Sequence, residues 1–391
     1  MSARAATDVL HQVDEILPVL RERAQQTEDA RAVPADSVKL LREAGFFRLM
    51  QPVRYGGLEA RPIDHFTAVR AIAGACGSTG WVASVLSAHQ WHLAQFDVRA
   101  QDEFWLADNT AVLSSAYAPL GKAKAVDGGY TLSGRWSFSS GVDHASGAIL
   151  GGLVIGVDGK PVDYAAFVVP VADYTVDPVW NTVGLRGTGS NDVVVEDVFV
   201  PAHRVLSFDA QFRCECPGHE VNPNPMYRVP LYSFMTTTIT TPLIGMTTGV
   251  YEAHVAHQRT RVRAFGGDKA KDDPFAKVRV AEAASDIEAS WLQMTSNLAA
   301  ILACADAGQP IPLELRARHR RDQVRAGQRA IAAADKLFEA SGVTALHADS
   351  AIQRLWRDAH AARVHVANDP EPAQKLFGDL EFGESVTGGM L

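Results

Sequence analysis

Several stretches of the 391-residue chain place reactive side chains where they could do chemistry. "RDAHAARVHVANDP", residues 357 to 370, sets His365 directly before Val366 and near the end of a helical pattern. An imidazole, with an ordinary pKa of about 6.5, is the side chain suited to proton exchange near neutrality. The bland reading is a satisfied structural histidine. "CGSTGWVASVLSAHQWHLAQF", residues 76 to 96, holds His89 and His92 three apart on a helix, with Trp81 and Trp91 beside them. No HExxH spacing accompanies the pair, so buried, hydrogen-bonded histidines are the economical reading and metal chelation the sharper one. "GRWSFSSGVDHA", residues 134 to 145, places Trp136 and Phe138 among the hydroxyls of Ser137, Ser139 and Ser140. Such a strand end would suit a flat, polar-edged ring such as a flavin, but on pattern alone an ordinary core strand running into a loop is favoured.

Two further motifs are weaker. "GLRGTGSN", residues 184 to 191, is glycine-rich enough for phosphate binding, but it continues into the strand-like "DVVVEDVFV". A dinucleotide fingerprint needs a helix there, so a turn is expected. "CECPGH" brings Cys214, Cys216 and His219 together, yet a zinc site needs a fourth ligand and a wider first spacing. A mobile loop without metal is expected.

The bulk numbers bound the alternatives. A chain of this length with 47% hydrophobic residues can bury a large core in two or three packed lobes. The formal charge of −8 argues against nucleic acid. One basic stripe, Arg318, Arg321, Arg325 and Arg329, recurs at three- and four-residue steps and reads as a solvated or subunit-pairing helix face. No apolar run reaches the roughly 18 residues of a membrane span, and the N-terminus lacks the apolar core of a signal peptide. Four cysteines do not make a disulfide framework. No membrane is expected as a partner, and the cytoplasm is the expected compartment.

The elements that must position these residues follow from periodicity. Residues 1 to 109 read as a helical domain, opening on the stripe Val9, Leu10, Val13, Ile16, Leu17 and Leu20. Its second helix should start at a cap on Asp36 or Ser37 and stop at Gly45. From 110 to 206 the pattern alternates, with turn signals at "VDGGY" and "VDGKP", which implies a β domain. Residues 207 to 231, rich in proline, asparagine and glycine, read as a long loop. From 232 to 391 the helical period returns in four segments, near 235 to 264, 274 to 306, 312 to 341 and 350 to 366. The class is therefore α+β, in the order helices, sheet, helices.

Taken together, that order and the stretches "YGG" (55 to 57), "GLRGTGSNDVVVEDVFVP" (184 to 201) and "RDAHAARVH" (357 to 365) resemble the acyl-CoA dehydrogenase fold. "CGSTGWVASV", "SSAYAP", "SSGVDHAS", "DDPFAKVR", "AEAASDI" and "RVHVANDP" narrow the resemblance to the oxygenase components of two-component flavin monooxygenases, over nearly the whole chain. The fold implied is an N-terminal helical domain, a central β-barrel or sandwich and a C-terminal four-helix bundle. In common acyl-CoA dehydrogenases the segment after "RDA" ends in tyrosine, glutamate and glycine, the glutamate being the base. Ungapped comparison puts His365 on the tyrosine and Val366 on the glutamate, and valine accepts no proton. A dehydrogenase or flavin oxidase is thus the rival reading, and Val366 counts against it.

The resemblance implies ortho-hydroxylation of a phenol by reduced FMN or FAD and O2, through a C4a-hydroperoxyflavin. A steroid-derived phenol of the 3-HSA type is the expected substrate, and a polyketide phenol the alternative. Phenol has a pKa of about 10, so a neutral histidine at hydrogen-bond reach would favour the reactive phenolate, and His365 is the base the comparison suggests. By matching position, Ser140 would hydrogen-bond near flavin N5 and His89 would lie near the substrate hydroxyl or flavin. Trp81, Ser115, Ala116, Tyr117, Phe138 and Ser139 would line the ring system, with His365 and Val366. Arg261, with Arg259 and Arg263 close by, would meet flavin phosphate from a neighbouring subunit, near Val343 and Thr344. No metal is implied. The chain has no nicotinamide fingerprint, which fits electrons delivered by a separate NAD(P)H:flavin reductase, and the family implies a homotetramer.

Overall fold

The computed structural model describes residues 2 to 263 and 266 to 386. Six helices open the chain: α1 (Ser2–Glu22), α2 (Ala24–Ala30), α3 (Ala35–Glu43), α4 (Pro62–Ala75), α5 (Gly77–Leu93) and α6 (Val98–Trp105). Helix α3 starts one turn before the expected cap. Pro34 takes the cap position, and Ser37 lies buried inside the helix, where it accepts a hydrogen bond from Arg23. Gly45, at φ +80°, ends the turn as its lack of a Cβ allows.

A seven-stranded sheet follows, of β1 (Leu113–Val126), β2 (Gly129–Ser139), β3 (Gly147–Ile155), β4 (Pro161–Pro170), β5 (Thr175–Asp177), β6 (Asn191–Pro201) and β7 (Val205–Ser207). Its order is β5-β6-β2-β1-β3-β4-β7, antiparallel except for the parallel β1/β3 pair. "VDGGY" makes the β1–β2 hairpin, and the sheet core packs around Trp136, Leu150, Phe167 and Val193.

The proline-rich stretch after the sheet is more structured than a bare loop. It forms a five-residue helix, α7 (Phe208–Phe212), and two short 3-10 turns. Phe208 stacks on Tyr164 at 4.1 Å, and Asn222 is buried against the carbonyl of Ala94. Helices α8 (Leu231–Thr260), α9 (Pro274–Asp306), α10 (Leu313–Ser341), α11 (Ala351–Arg363) and α12 (Pro370–Glu381) complete the chain. The last of these was not anticipated, although Asp369 caps it and Pro370 stands at its first position, a standard start signal. Of the basic stripe on α10, Arg318 and Arg325 are exposed, whereas Arg321 lies over the ring of Phe377 at 4.2 Å. Among the described residues no helix is long and apolar enough to cross a membrane.

Candidate functional site

Trp81, on helix α5, every residue of which is buried, is the centre of a junction between the helical parts and the sheet. Its indole N–H donates to Ser140 Oγ at 3.0 Å, and the ring of His365 stands edge-on to it at 5.7 Å. Four segments therefore meet here: α5, the end of β2, the 184 to 191 turn and the end of α11.

The end of β2 is shaped by a register shift against β6 between Trp136 and Ser139. The irregularity puts Phe138 at φ +71°, a conformation costly for a residue with a Cβ, and leaves it 71% exposed. Phe138 meets Trp180 edge-on at 6.1 Å. Ser139 is fully buried and its hydroxyl has no partner. Ser140 Oγ lies 2.8 Å from Ser190 Oγ, which lies 2.6 Å from Thr188 Oγ1. A row of hydroxyls thus runs from Trp81 into the glycine-rich turn, whose Leu185 and Gly189 are both left-handed. The turn runs into β6 rather than opening a helix, and it serves as a clasp. Asp358 Oδ1 on α11 accepts from the Leu185 N–H at 2.6 Å, and a Cβ on Gly184 would sit 2.2 Å from the Arg357 carbonyl. Burial pushes the Asp358 carboxyl up to about 7.

His365 caps a short 3-10 turn, Val366–Asn368, by accepting the Ala367 N–H on Nδ1 at 3.1 Å. Burial and the nearby positive charge of Arg320 lower its pKa to about 4. At neutral pH the ring is therefore uncharged with its proton on Nε2, a hydrogen-bond donor. Val366 is 64% exposed beside it.

His89 has the opposite tautomer. Its Nδ1 lies 2.6 Å from the Leu113 carbonyl, which only accepts, so Nδ1 carries the proton and Nε2 the lone pair. Burial pushes its pKa down to about 4. His92, three residues on, is fully committed: its Nε2–H donates to Gln211 Oε1 at 2.6 Å and its Nδ1 accepts from the Tyr117 hydroxyl at 2.7 Å. Ser115, Ala116 and Tyr117 lie together on β1, and the Tyr117 ring is edge-on to His89 at 6.1 Å.

Arg261, Val343 and Thr344 group elsewhere. Arg261 donates to the Ala340 carbonyl at 2.8 Å and packs where Gly342 has no Cβ, and Thr344 Oγ1 is 3.4 Å from His257 Nε2. No described contact joins these three to Trp81, Ser140 or His365. Arg263 is paired with Asp273, and Arg259 is exposed. His219 Nε2 holds the Tyr227 carbonyl at 2.8 Å, tethering the loop that carries Cys214 and Cys216. Among the described residues no three His, Cys, Asp or Glu side chains converge as a metal site.

Sequence reasoning missed Ser190, Thr188 and Trp180, although "GLRGTGSN" contained the two hydroxyls. It also missed the buried Arg320. Nothing in the arginine stripe marks position 320 as the one that faces inward.

The arrangement offers a flat ring one exposed aromatic, an unpartnered buried hydroxyl and a hydroxyl row, with two neutral histidines of fixed and opposite polarity. These residues fit a reduced flavin with a polar edge. Comparison with known proteins agrees. Residues 13 to 111 match the acyl-CoA dehydrogenase N-terminal domain, and residues 237 to 370 its C-terminal domain. The chain is 57% identical to the flavin-dependent monooxygenase oxygenase subunit HsaA of Rhodococcus jostii, over 98% of this chain and 100% of that protein. The HsaA of Mycobacterium tuberculosis is 55% identical over 97% of this chain and 96% of that protein. The crystal structure of 3-HSA hydroxylase from Rhodococcus sp. RHA1 superposes with a TM-score of 0.95 at 56% identity, covering 98% of this chain and 99% of that one. The chain belongs to the oxygenase subunits of flavin-dependent monooxygenases, built on the acyl-CoA dehydrogenase fold.

Proposed function

We propose that this chain hydroxylates a steroid-derived phenol of the 3-HSA class ortho to its hydroxyl, using O2 and reduced flavin delivered by a separate NAD(P)H:flavin reductase. Bound reduced flavin supplies the oxygen-activating chemistry, and the protein supplies placement, desolvation and proton handling. The observation that carries the reading is the pair of neutral histidines of opposite tautomer, with Val366 where the dehydrogenase base would stand. His89 Nε2 has the lone pair to accept the phenol proton, and His365 Nε2–H is the donor that holds a neighbouring oxygen. This reverses the base assignment that comparison of "RDAHAARVH" suggested: the Ala367 amide occupies the lone pair His365 would need.

Trp81, Ser139 and Ser140 are assigned to the polar edge of the flavin, with Ser115, Ala116, Tyr117 and Phe138 against its ring system and Val366 at its rim. Ser190 and Thr188 hold the Ser140 hydroxyl. Arg261, Val343 and Thr344 are assigned to the flavin of a neighbouring subunit in a homotetramer; the 80% exposure of Val343 and 62% exposure of Leu346 beside them support a subunit contact. The four cysteines are free, which supports a reducing cytoplasmic setting.

The test is direct. The protein is loaded anaerobically with reduced FMN or FAD and 3-HSA, then mixed with 18O2, and the product is weighed by mass spectrometry. One labelled oxygen on the ring ortho to the phenol is expected. Unlabelled or unchanged 3-HSA with both flavins overturns the proposal.

A further inference from the structure

Helix α10 buries one arginine with no ion pair; Asp369 acts on it only from beyond ion-pair reach. Arg320 is 2% exposed, no described carboxylate lies within ion-pair reach of it, and its Nε has no hydrogen-bond partner. The next residue, Arg321, is paired with Asp322. A buried cation with no ion-pair partner is costly, so its retention asks for a reason. What Arg320 touches supplies one. Its Nη1 donates to the Ala367 carbonyl at 2.7 Å and to the Gln323 side chain. Gln323 Nε2 in turn donates to the same carbonyl at 3.1 Å, to Asn368 Oδ1 at 3.0 Å and to Thr240 on α8. Thr240 Oγ1 donates to Asn368 Oδ1 at 2.6 Å, and Asn368 Nδ2 returns to the Ala362 carbonyl at 2.8 Å. The network closes on the turn that His365 caps, and Ala367, gripped at its carbonyl, offers its N–H to His365 Nδ1.

We propose that Arg320 is a positioning residue for His365: by pinning Ala367 from behind, its buried guanidinium keeps the Ala367 amide on Nδ1 and so presents Nε2–H to the site. The charge works in the same direction as the geometry, because a cation behind the ring opposes a second one on it. The other charged groups facing this turn do not cancel it. Arg363 donates to the Asn368 carbonyl at 2.8 Å, Asp369 is exposed and caps α12, and Asp322 is engaged by Arg321 and Asn297. Helix α5 contributes the uncharged Trp81. The catalytic consequence rests on the proposed function; the tautomer does not.

The experiment therefore reads the imidazole itself. Histidine nitrogen NMR of the 15N-labelled full chain, with the His365 signals assigned by their loss in His365→Gln, is followed from pH 5 to 9 in the wild type, Arg320→Met and Arg320→Lys. The wild type is expected to stay neutral with a single Nε2–H tautomer. Arg320→Met should raise the His365 pKa by at least one unit and lower the hydroxylation rate about tenfold at pH 7, with flavin binding retained. Arg320→Lys should keep the ring neutral but release Ala367, so that both tautomers appear. A folded Arg320→Met whose His365 keeps the wild-type tautomer and titration overturns the proposal. If that variant does not fold, an unchanged single tautomer in Arg320→Lys overturns it. Hydroxylation absent in every protein, with the NMR changes as expected, would sink the functional reading alone.

Discussion

At the scale of single residues, the two histidines make different predictions. His89 is read as the acceptor, so His89→Ala should slow hydroxylation near pH 7 by about 100-fold and recover as pH rises towards the phenol's own pKa of about 10. His365 is read as a donor, so His365→Ala should lose activity by a similar factor at every pH between 7 and 9. Rate–pH profiles of the two variants separate the roles, and a His365→Ala enzyme rescued by high pH would return the base to His365. Part of this was legible in the sequence and part was not. The pair His365 and Val366 is a local pattern, and set against the family's it counts against the dehydrogenase base. The tautomers are set by one backbone amide two residues on and by one carbonyl 24 residues on, Leu113, and no spacing rule reveals either. His92 looked equivalent to His89 from its spacing, yet Tyr117 and Gln211 use up both of its nitrogens.

At the scale of elements, α1 and α10 were legible from a one-sided apolar period, while α5 and α9, apolar on more than one face, were legible from their length and their flanking breaks, and α9 and α10 lie where the sequence placed them. The sheet was legible as strands but not as an order, since the parallel β1/β3 pairing depends on contacts between segments that alternation alone does not pair. The clasp between the glycine-rich turn and α11 depends on Asp358, which "RDA" displays without saying what it binds. Asp358 is 4% exposed and its carboxyl is raised to about 7. A folded-state pKa above the unfolded value means the folded protein holds a proton the unfolded chain has released, so this group's contribution is fully present below about pH 4 and is lost as pH rises through 7. Asp358→Asn keeps an oxygen for the Leu185 N–H and carries no charge. It should match the wild type in unfolding free energy from urea titration at pH 4 and exceed it at pH 8, by an amount approaching about 4 kcal/mol. Asp358→Ala abandons the Leu185 amide and should be less stable to urea than Asp358→Asn at both pH values by about 1 to 3 kcal/mol. Equal stability of wild type and Asp358→Asn at pH 8 would mean the carboxylate is solvated and burial does not disfavour it.

At the scale of the molecule, the burial that keeps His89 uncharged, while weakening it as a base, also makes the fold sensitive to acid. His65, His89, His92, His254 and His319 are each no more than 3% exposed, and burial depresses all five, to between about 3 and 4. Their unfolded counterparts titrate near 6.5, so below that value the unfolded chain binds protons the folded chain refuses. The contribution of these groups is present above about pH 6.5 and is lost as pH falls towards 4. Each costs up to about 1.4 kcal/mol per pH unit, and five together about 7 kcal/mol per pH unit, which rivals the whole stability of an ordinary domain. Asp358 opposes this over the same range but counts once. The five also span the architecture. His65, His89 and His92 sit in α4 and α5, while His254 contacts Ser341 at 2.7 Å and His319 the Ser233 carbonyl at 3.1 Å, joining α8 to α10. Acid should therefore bring the N-terminal helices and the C-terminal bundle down together. Urea midpoints taken at pH 7, 6, 5 and 4 should fall steeply below 6 in one transition, and His319→Gln should flatten the slope by about one histidine's share. A midpoint constant down to pH 4 would show that these rings accept protons in place. In that case the imidazole of His89 would also be charged in mild acid and unable to take the phenol's proton.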